Sequence, residues 1–117
     1  MEVTKQKDKV VEIHVKGRIS EEDYKKIIPE LENEIQKHDK INLYCEIDNI
    51  TGVDAGAVWH DLKFGTKHFN SFNKVAIIGH EKWIEWMSVL AKPFTTATVK
   101  IFKPEKREEA KYWLSTT

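Results

Sequence analysis

A chain of 117 residues, 40% of them hydrophobic, has the length of one domain and enough apolar side chains for a single core. Its 19 basic and 19 acidic side chains balance, so no net charge attracts it to nucleic acid or to an anionic membrane. The single cysteine excludes an internal disulfide, and the longest apolar run, Val75–Ile78, is far too short to span a membrane. We therefore expect one cytoplasmic domain over residues 1–117 that neither spans a membrane nor binds nucleic acid.

Two β-prone runs, Glu2–Thr4 and Val10–Lys16, are separated by the charged segment Lys5–Lys9, and this pattern predicts an N-terminal hairpin. In the second run apolar residues alternate with three polar ones, Glu12, His14 and Lys16. One face of that strand is therefore expected to be wet or only thinly covered. Gly17 is expected to end the strand.

A helix is predicted from Ser20, which precedes three acidic residues as an N-cap does, to about His38. Its apolar positions keep a helical spacing: Tyr24, Ile27, Ile28, Leu31 and Ile35. Pro29 lies inside this pattern and removes one backbone hydrogen bond, so we expect a kink near Lys25 or Lys26.

The rest of the chain alternates strands with helices. The expected strands are Ile41–Asp48, Val75–Gly79 and Thr98–Lys103. The expected helices run from about Asp54 to Asn70, from Glu81 to Ala91, and from Pro104 through Ala110, Trp113 and Leu114. The apolar run at Val75 is typical of a central strand with both faces covered, and Cys45 is interpreted as a small buried hydrophobe rather than a reactive thiol. This order predicts an α/β fold with a mixed, mostly parallel sheet, an N-terminal hairpin and four helices.

The second predicted helix carries one apolar side chain in an unexpected place. Phe64 lies away from the sheet-facing arc, between His60 and His68. Two interpretations stay open: packing under a neighbouring helix, or an exposed surface for a protein partner that begins at Asp54. A metal site is not expected, because residues eight apart on a helix lie roughly 12 Å from each other.

The third predicted helix has an unusually wide apolar arc. Trp83 and Trp86 extend that arc to roughly 160°, more than a helix on a sheet needs. Together with Trp59 and Phe94 they predict a cavity between the second and third predicted helices for a small apolar or lipid-like ligand. The alternative is that these aromatic side chains fill the core of the domain.

No catalytic signature is present. The sequence lacks a G-x-G-x-x-G loop, a Walker loop and a serine nucleophile elbow. Asp48 and Asp54 flank the loop expected after the third strand, where two carboxylates serve as capping and turn residues or, alternatively, as an acid/base pair. We expect no enzyme activity, no cofactor and no metal.

Four segments together resemble the SpoIIAA-like family of STAS domains, in its STAS/Sec14-like branch. They are GRISEEDYKKIIPELE from Gly17, ITGVDAGAVWHDLKFGTKHF from Ile50, VAIIGHEKWIEWMSVLAKPF from Val75 and EEAKYWL from Glu108. The resemblance implies a STAS-like fold and a non-catalytic binding or regulatory module, and the Sec14 part of the family points to lipids.

Anti-sigma factor antagonists of the wider STAS family carry a phosphorylatable serine in a D-S-S-G turn at the start of the second helix. The corresponding turn here reads Val53-Asp54-Ala55-Gly56, in which Ala55 has no hydroxyl and Asp54 adds a fixed negative charge. Thr51 lies just before it and is expected to make a local turn hydrogen bond rather than to be modified. The phospho-switch is therefore not expected to operate at this turn.

The expected function is a cytoplasmic binding module that holds a small apolar or lipid-like ligand. The alternative is a protein-interaction regulator of the anti-sigma-antagonist type that lacks the phosphorylatable serine. Candidate partners are accordingly an apolar molecule or lipid, a protein, and a second copy of the chain.

Overall fold

The computed structural model describes residues 2–7, 9–54, 56, 70–79 and 97–116, without the side chains of residues 2–7, 19, 49, 50 and 53. In these ranges five strands form one sheet in chain order: β1 (Glu2–Lys7), β2 (Val10–Ile19), β3 (Ile41–Val53), β4 (Phe72–Ile78) and β5 (Thr98–Phe102). Two α-helices are described, α1 (Glu21–His38) and α2 (Arg107–Ser115), and a 3₁₀ turn, Pro104–Lys106, leads into α2.

The pairing of the strands confirms a mostly parallel sheet with an N-terminal hairpin. Strand β1 pairs antiparallel with β2, and each later neighbour pairs in parallel. The expected count of four helices is wrong for the part of the chain that the structure describes, which contains two α-helices. The helix expected from about Asp54 to Asn70 lies outside the described residues except at Asp54, Gly56 and Asn70, and the helix expected from Glu81 to Ala91 lies wholly outside them.

Helix α1 begins and ends where the sequence predicts. The Ser20 hydroxyl accepts a hydrogen bond from the Asp23 backbone N–H at 3.2 Å, and the Asp23 carboxylate accepts one from the Ser20 N–H at 3.0 Å. This reciprocal capping box satisfies two N–H groups that the first turn leaves unpaired. Pro29 lies inside the helix, as expected, and the kink near Lys25 or Lys26 stays a prediction.

The first three strands are longer than predicted. Strand β1 continues to Lys7, and β2 passes through Gly17 to Ile19 instead of ending there. Gly17 has a φ of +73°, and the pairing register with β3 shifts on both sides of it. Glycine adopts this left-handed conformation without strain, so β2 continues, and the extra residues of the bulged pairing, Asn49 and Thr51, lie opposite it in β3. Its continuation pairs with β3, which extends to Val53 rather than stopping at Asp48.

The sheet has a buried cluster on each face. The face under α1 is wholly apolar, and its members are Val11, Ile13, Val15, Ile27, Leu31, Ile35, Ile41, Leu43, Ile47, Phe72, Val75 and Ile77. Cys45 is half-buried against this cluster, as its interpretation as a small hydrophobe requires. The face under α2 is smaller: Tyr44, Ala76, Ile78, Ala110 and Leu114. Strand β4 contributes to both, so its prediction as a two-sided strand is confirmed.

The C-terminal end of α2 is held by polar side chains from β3 and β4. Asn42, only 7% exposed, donates from Nδ2 to the Leu114 carbonyl at 2.8 Å and accepts from the Lys74 backbone N–H at 3.1 Å. The Lys74 ammonium donates to the carbonyls of Trp113 at 3.1 Å and Thr116 at 2.8 Å. Helix ends leave such carbonyls unpaired, so these two side chains replace the missing helical donors.

Replacing Asn42 by alanine is expected to lower the free energy of unfolding by about 1–3 kcal/mol, because it leaves a buried carbonyl and a buried N–H unpaired. Urea denaturation measures this difference. The matched control is Asn73→Ala, at an exposed asparagine of the same sheet, which is expected to stay within about 0.5 kcal/mol of the wild type. Equal effects of the two substitutions would contradict this account of the helix end.

Candidate functional site

Of the eight residues that the sequence predicts for the ligand cavity and the partner surface, the structure describes one. Asp54 follows β3 directly. The other members of the expected partner surface, His60, Phe64 and His68, lie outside the described residues. So do the four residues of the expected ligand cavity, Trp59, Trp83, Trp86 and Phe94. Whether either set comes together stays a prediction.

Asp54 forms an ion pair that the sequence analysis missed. Arg18 donates from Nε to the Asp54 Oδ1 at 2.6 Å, and its Nη2 lies 2.5 Å from the same oxygen. The irregular pairing at Gly17 accounts for this contact, since it places Arg18 opposite Gly52, two residues before Asp54. The side chains are 61% and 34% exposed, respectively, so the pair lies at the surface.

Two glycines, one near the end of β3 and one just after it, allow the chain to lie close to its neighbours. A Cβ at Gly52 would lie 2.7 Å from the Arg18 Nη1. At Gly56 a Cβ would lie 2.5 Å from the Glu21 Oε2 and 3.2 Å from the Glu21 Cβ. Any larger side chain at these positions therefore requires Arg18 or Glu21 to move. We call this surface, formed by Arg18, Glu21, Gly52, Asp54 and Gly56, the β3-end turn.

Two residues that the sequence places in a loop before the β3-end turn, Asp48 and Thr51, lie in β3 instead. Asp48 does not flank a loop with Asp54, because β3 continues for five residues beyond Asp48. It lies opposite Lys16 in the parallel register instead. Thr51 likewise lies within the strand and is exposed, so it is not the loop threonine that the sequence suggests.

A second polar group lies on the other side of the molecule, between the sheet and α2. Tyr44 donates from its hydroxyl to the Glu46 Oε1 at 2.6 Å, and Arg107 donates from Nε to the same oxygen at 3.3 Å. The His14 Nε2 lies 3.8 Å from the other carboxylate oxygen, Oε2. We call these four residues, His14, Tyr44, Glu46 and Arg107, the α2-facing polar cluster. It occupies the polar face of β2 and β3 that the sequence predicts to be thinly covered.

The protonation states of this cluster follow from its contacts. Partial burial pushes the pKa of Glu46 upward, but the hydrogen bond from Tyr44 and the positive charge of Arg107 outweigh it, so that pKa lies below its ordinary value. Burial and the hydrogen bond to Glu46 raise the pKa of the Tyr44 phenol well above its ordinary value. Tyr44 is thus a permanent donor and Glu46 a permanent carboxylate near neutral pH, an arrangement suited to holding α2 rather than to proton transfer.

Within the described ranges, no three histidine, cysteine or acidic side chains lie where they could hold a metal ion. No helix in the same part of the chain is long and apolar enough to cross a membrane.

The fold and the β3-end turn define a small α/β domain with a mostly parallel sheet and a surface turn at the end of its third strand. The sequence model of the SpoIIAA-like family matches residues 10–115. A crystal structure of an uncharacterised protein of the DUF3478 family from Shewanella loihica PV-4, with a SpoIIAA-like fold, is 31% identical, and the alignment covers 97% of this chain and 90% of that one with a TM-score of 0.76. Comparison with curated proteins finds no match. The chain belongs to the SpoIIAA-like family, and the resemblance to STAS domains is confirmed.

Replacing Glu46 by glutamine is expected to lower the free energy of unfolding by about 1–2 kcal/mol at pH 7, because it removes the charge that Tyr44 and Arg107 bind. A carboxylate whose pKa is lower in the folded than in the unfolded chain stabilises the fold above its ordinary pKa, here 4.5, and loses that effect as the pH falls. The difference between variant and wild type should therefore shrink below about pH 4.

Urea denaturation at pH 7 and at pH 3.5 tests this pH dependence. The matched control is Glu108→Gln, a carboxylate of α2 that is 85% exposed, which should change the free energy of unfolding by less than about 0.5 kcal/mol at either pH. A Glu46→Gln effect of the same size at both pH values would show that the glutamate contributes through its shape and not its charge.

Proposed function

We propose that this SpoIIAA-like domain is a non-catalytic module that regulates a protein partner through the β3-end turn. The observation that carries the proposal is the ion pair between Arg18 and Asp54, which fixes a charged turn at the carboxyl end of two parallel strands. Loops at this end of an open α/β sheet are where ligands and partners meet such folds.

A fixed turn favours binding for an entropic reason. A partner that contacts a mobile loop must order it, and that ordering reduces the affinity. Here Arg18 holds the end of β3 from one side, and Gly56 lies against Glu21 at the start of α1 on the other. The turn therefore needs little rearrangement to present the charges of Arg18 and Asp54 to a partner.

The residues of this turn also support a regulator whose partner binding is not switched by phosphorylation of a serine in the turn. Its sequence, Val53-Asp54-Ala55-Gly56, offers no hydroxyl at the positions where the antagonists carry serines. Asp54 supplies a carboxylate instead, and Arg18 pairs with it. We propose that partner binding through this surface is constitutive.

Charge-reversal variants test the proposal. Arg18→Asp and Asp54→Arg should each weaken binding of the partner at least tenfold. Each substitution places two like charges side by side at positions 18 and 54, and each reverses a charge on the surface that the partner contacts. The double variant Arg18→Asp/Asp54→Arg restores an ion pair within the turn while reversing both charges. It should recover stability without recovering binding.

The measurement begins with quantitative affinity capture from cells that express the protein, followed by calorimetric titration with the purified partner. Glu108→Arg, on the outer surface of α2, is the control and should bind as the wild type does. Circular dichroism and urea denaturation of each variant separate lost binding from lost folding. Undiminished binding by both folded single variants would exclude the β3-end turn as the partner surface.

We also propose, as the second candidate function, that the domain binds a small apolar or lipid-like molecule. Its support is the spacing of aromatic residues on the second and third predicted helices, with Trp59, Trp83, Trp86 and Phe94 lining the cavity. His60, Phe64 and His68 would then be the neighbouring exposed surface on the second helix. Both sets lie outside the described residues, so this candidate depends on the sequence pattern and on the family.

Tryptophan fluorescence can test the lipid proposal, because three of the four tryptophans belong to the predicted cavity and the fourth, Trp113, does not. The Trp113 ring lies between the ammonium groups of Lys74 and Lys100, which are 5.3 and 4.9 Å from its centroid. Trp113→Phe therefore leaves only the three predicted cavity tryptophans to report. Added oleate should shift their emission to shorter wavelength, and native mass spectrometry should detect a one-to-one adduct. Unchanged emission together with no adduct at high oleate concentration would refute the proposal.

A further inference from the structure

We infer that α2 is fastened to the sheet by a proton-responsive contact, in which His14 pairs with Glu46 only when the imidazole is protonated. The inference concerns the α2-facing polar cluster, and it is independent of the β3-end turn and of any partner bound there. It assigns His14 a regulatory role: it adjusts how firmly α2 covers the sheet as the pH changes.

The first observation is an unsatisfied buried atom. The His14 Nε2 is inaccessible to solvent and has no hydrogen-bond partner among the residues that the structure describes. It lies 3.8 Å from the Glu46 Oε2, within ion-pair distance but too far for a hydrogen bond. A neutral imidazole thus gains little from this position, and a buried unpaired nitrogen is unfavourable. Protonation makes both ring nitrogens donors and creates an attraction to the carboxylate.

The second observation links this contact to α2. Glu46 uses Oε1 for Tyr44 and for Arg107, the first residue of α2, and it turns Oε2 toward His14. A charged His14 would hold Oε2, so the carboxylate would keep Oε1 aimed at Arg107. With a neutral His14, one side of the carboxylate loses its partner, and the contact with α2 weakens.

The other charges around His14 are nearly balanced. Its own strand contributes Glu12 and Lys16, and β3 contributes Tyr44, Glu46 and Asp48. Helix α2 contributes Arg107 and Lys111, whose ammonium lies 4.0 Å from the Glu12 Oε1. In β1, Glu2 is the residue opposite His14 in the register. None of these side-chain types ordinarily changes charge between pH 8 and pH 5.5, the range in which an imidazole gains its proton.

The direction of the effect follows from these charges. The His14–Glu46 contact is an ion pair only while the imidazole carries its proton, so the attraction is present at mildly acid pH and absent once the imidazole is neutral. At strongly acid pH the pair is lost again, because Glu46 then takes up a proton. Helix α2 should therefore be held most firmly at mildly acid pH, where one member carries a positive charge and the other a negative one.

A double-mutant cycle at two pH values tests the inference. His14→Gln, Glu46→Gln and the double variant are unfolded with urea at pH 5.5 and at pH 8, and the coupling between the two side chains is obtained as a ratio of unfolding equilibrium constants. We expect a coupling of roughly two- to fivefold at pH 5.5, as measured for partly exposed ion pairs, and a ratio near one at pH 8. The same coupling at both pH values would overturn the inference.

The control cycle uses Glu12→Gln and Lys111→Gln. This pair also joins β2 to α2 but contains no imidazole, so its coupling should not change between pH 5.5 and pH 8. If the His14 and Glu46 variants fail to fold, hydrogen exchange of the wild type gives a second test. After correction for the intrinsic pH dependence, the amides of α2 should be two- to fivefold better protected at pH 6 than at pH 8, relative to those of β4. Equal relative protection would overturn the inference.

Discussion

The parallel pairing of β2 with β3 is the constraint on which both polar sites depend. One register places His14 opposite Glu46 and Glu12 opposite Tyr44, so the polar residues of the two strands meet beneath α2. The shift at Gly17 then brings Arg18 opposite Gly52, next to Asp54. A slip of one residue would reverse the faces of the strand and separate both groups of side chains.

Strand β3 serves different purposes on its two faces. Toward α1 it presents Ile41, Leu43 and Ile47 to a continuous apolar core. Toward α2 it presents polar side chains, and the C-terminal helix is held by Asn42 at its end and by Glu46 at its beginning. Hydrophobic burial changes little with pH, whereas contacts to charged groups do, so the two helices should respond differently to acid.

The sequence predicts well those structural features that residues close together in the chain determine. The start of α1 follows from Ser20 and Asp23, three positions apart, and the two-sided strand follows from an unbroken apolar run. The two polar sites join residues 36 and 61 positions apart, at Arg18–Asp54 and Glu46–Arg107. Periodicity shows that β2 and β3 each have a polar face, but only the register shows which side chains meet. The expected aromatic cavity and the Phe64 surface lie outside the described residues, so neither is confirmed.

The positive φ at Gly17 makes this position sensitive to the chirality of the residue that occupies it. Apart from its two neighbours in the chain, no described residue has a heavy atom within 4 Å of the place that a Cβ would occupy there, so the described surroundings leave space at this position. The restriction comes from the positive φ, which L-amino acids rarely adopt and which a D-amino acid adopts naturally. A chemically synthesised domain with D-alanine at position 17 should keep the strand and its charged turn, whereas L-alanine, of identical size and composition, would strain them. At this position the handedness of the residue, and not its volume, maintains the contact between Arg18 and Asp54.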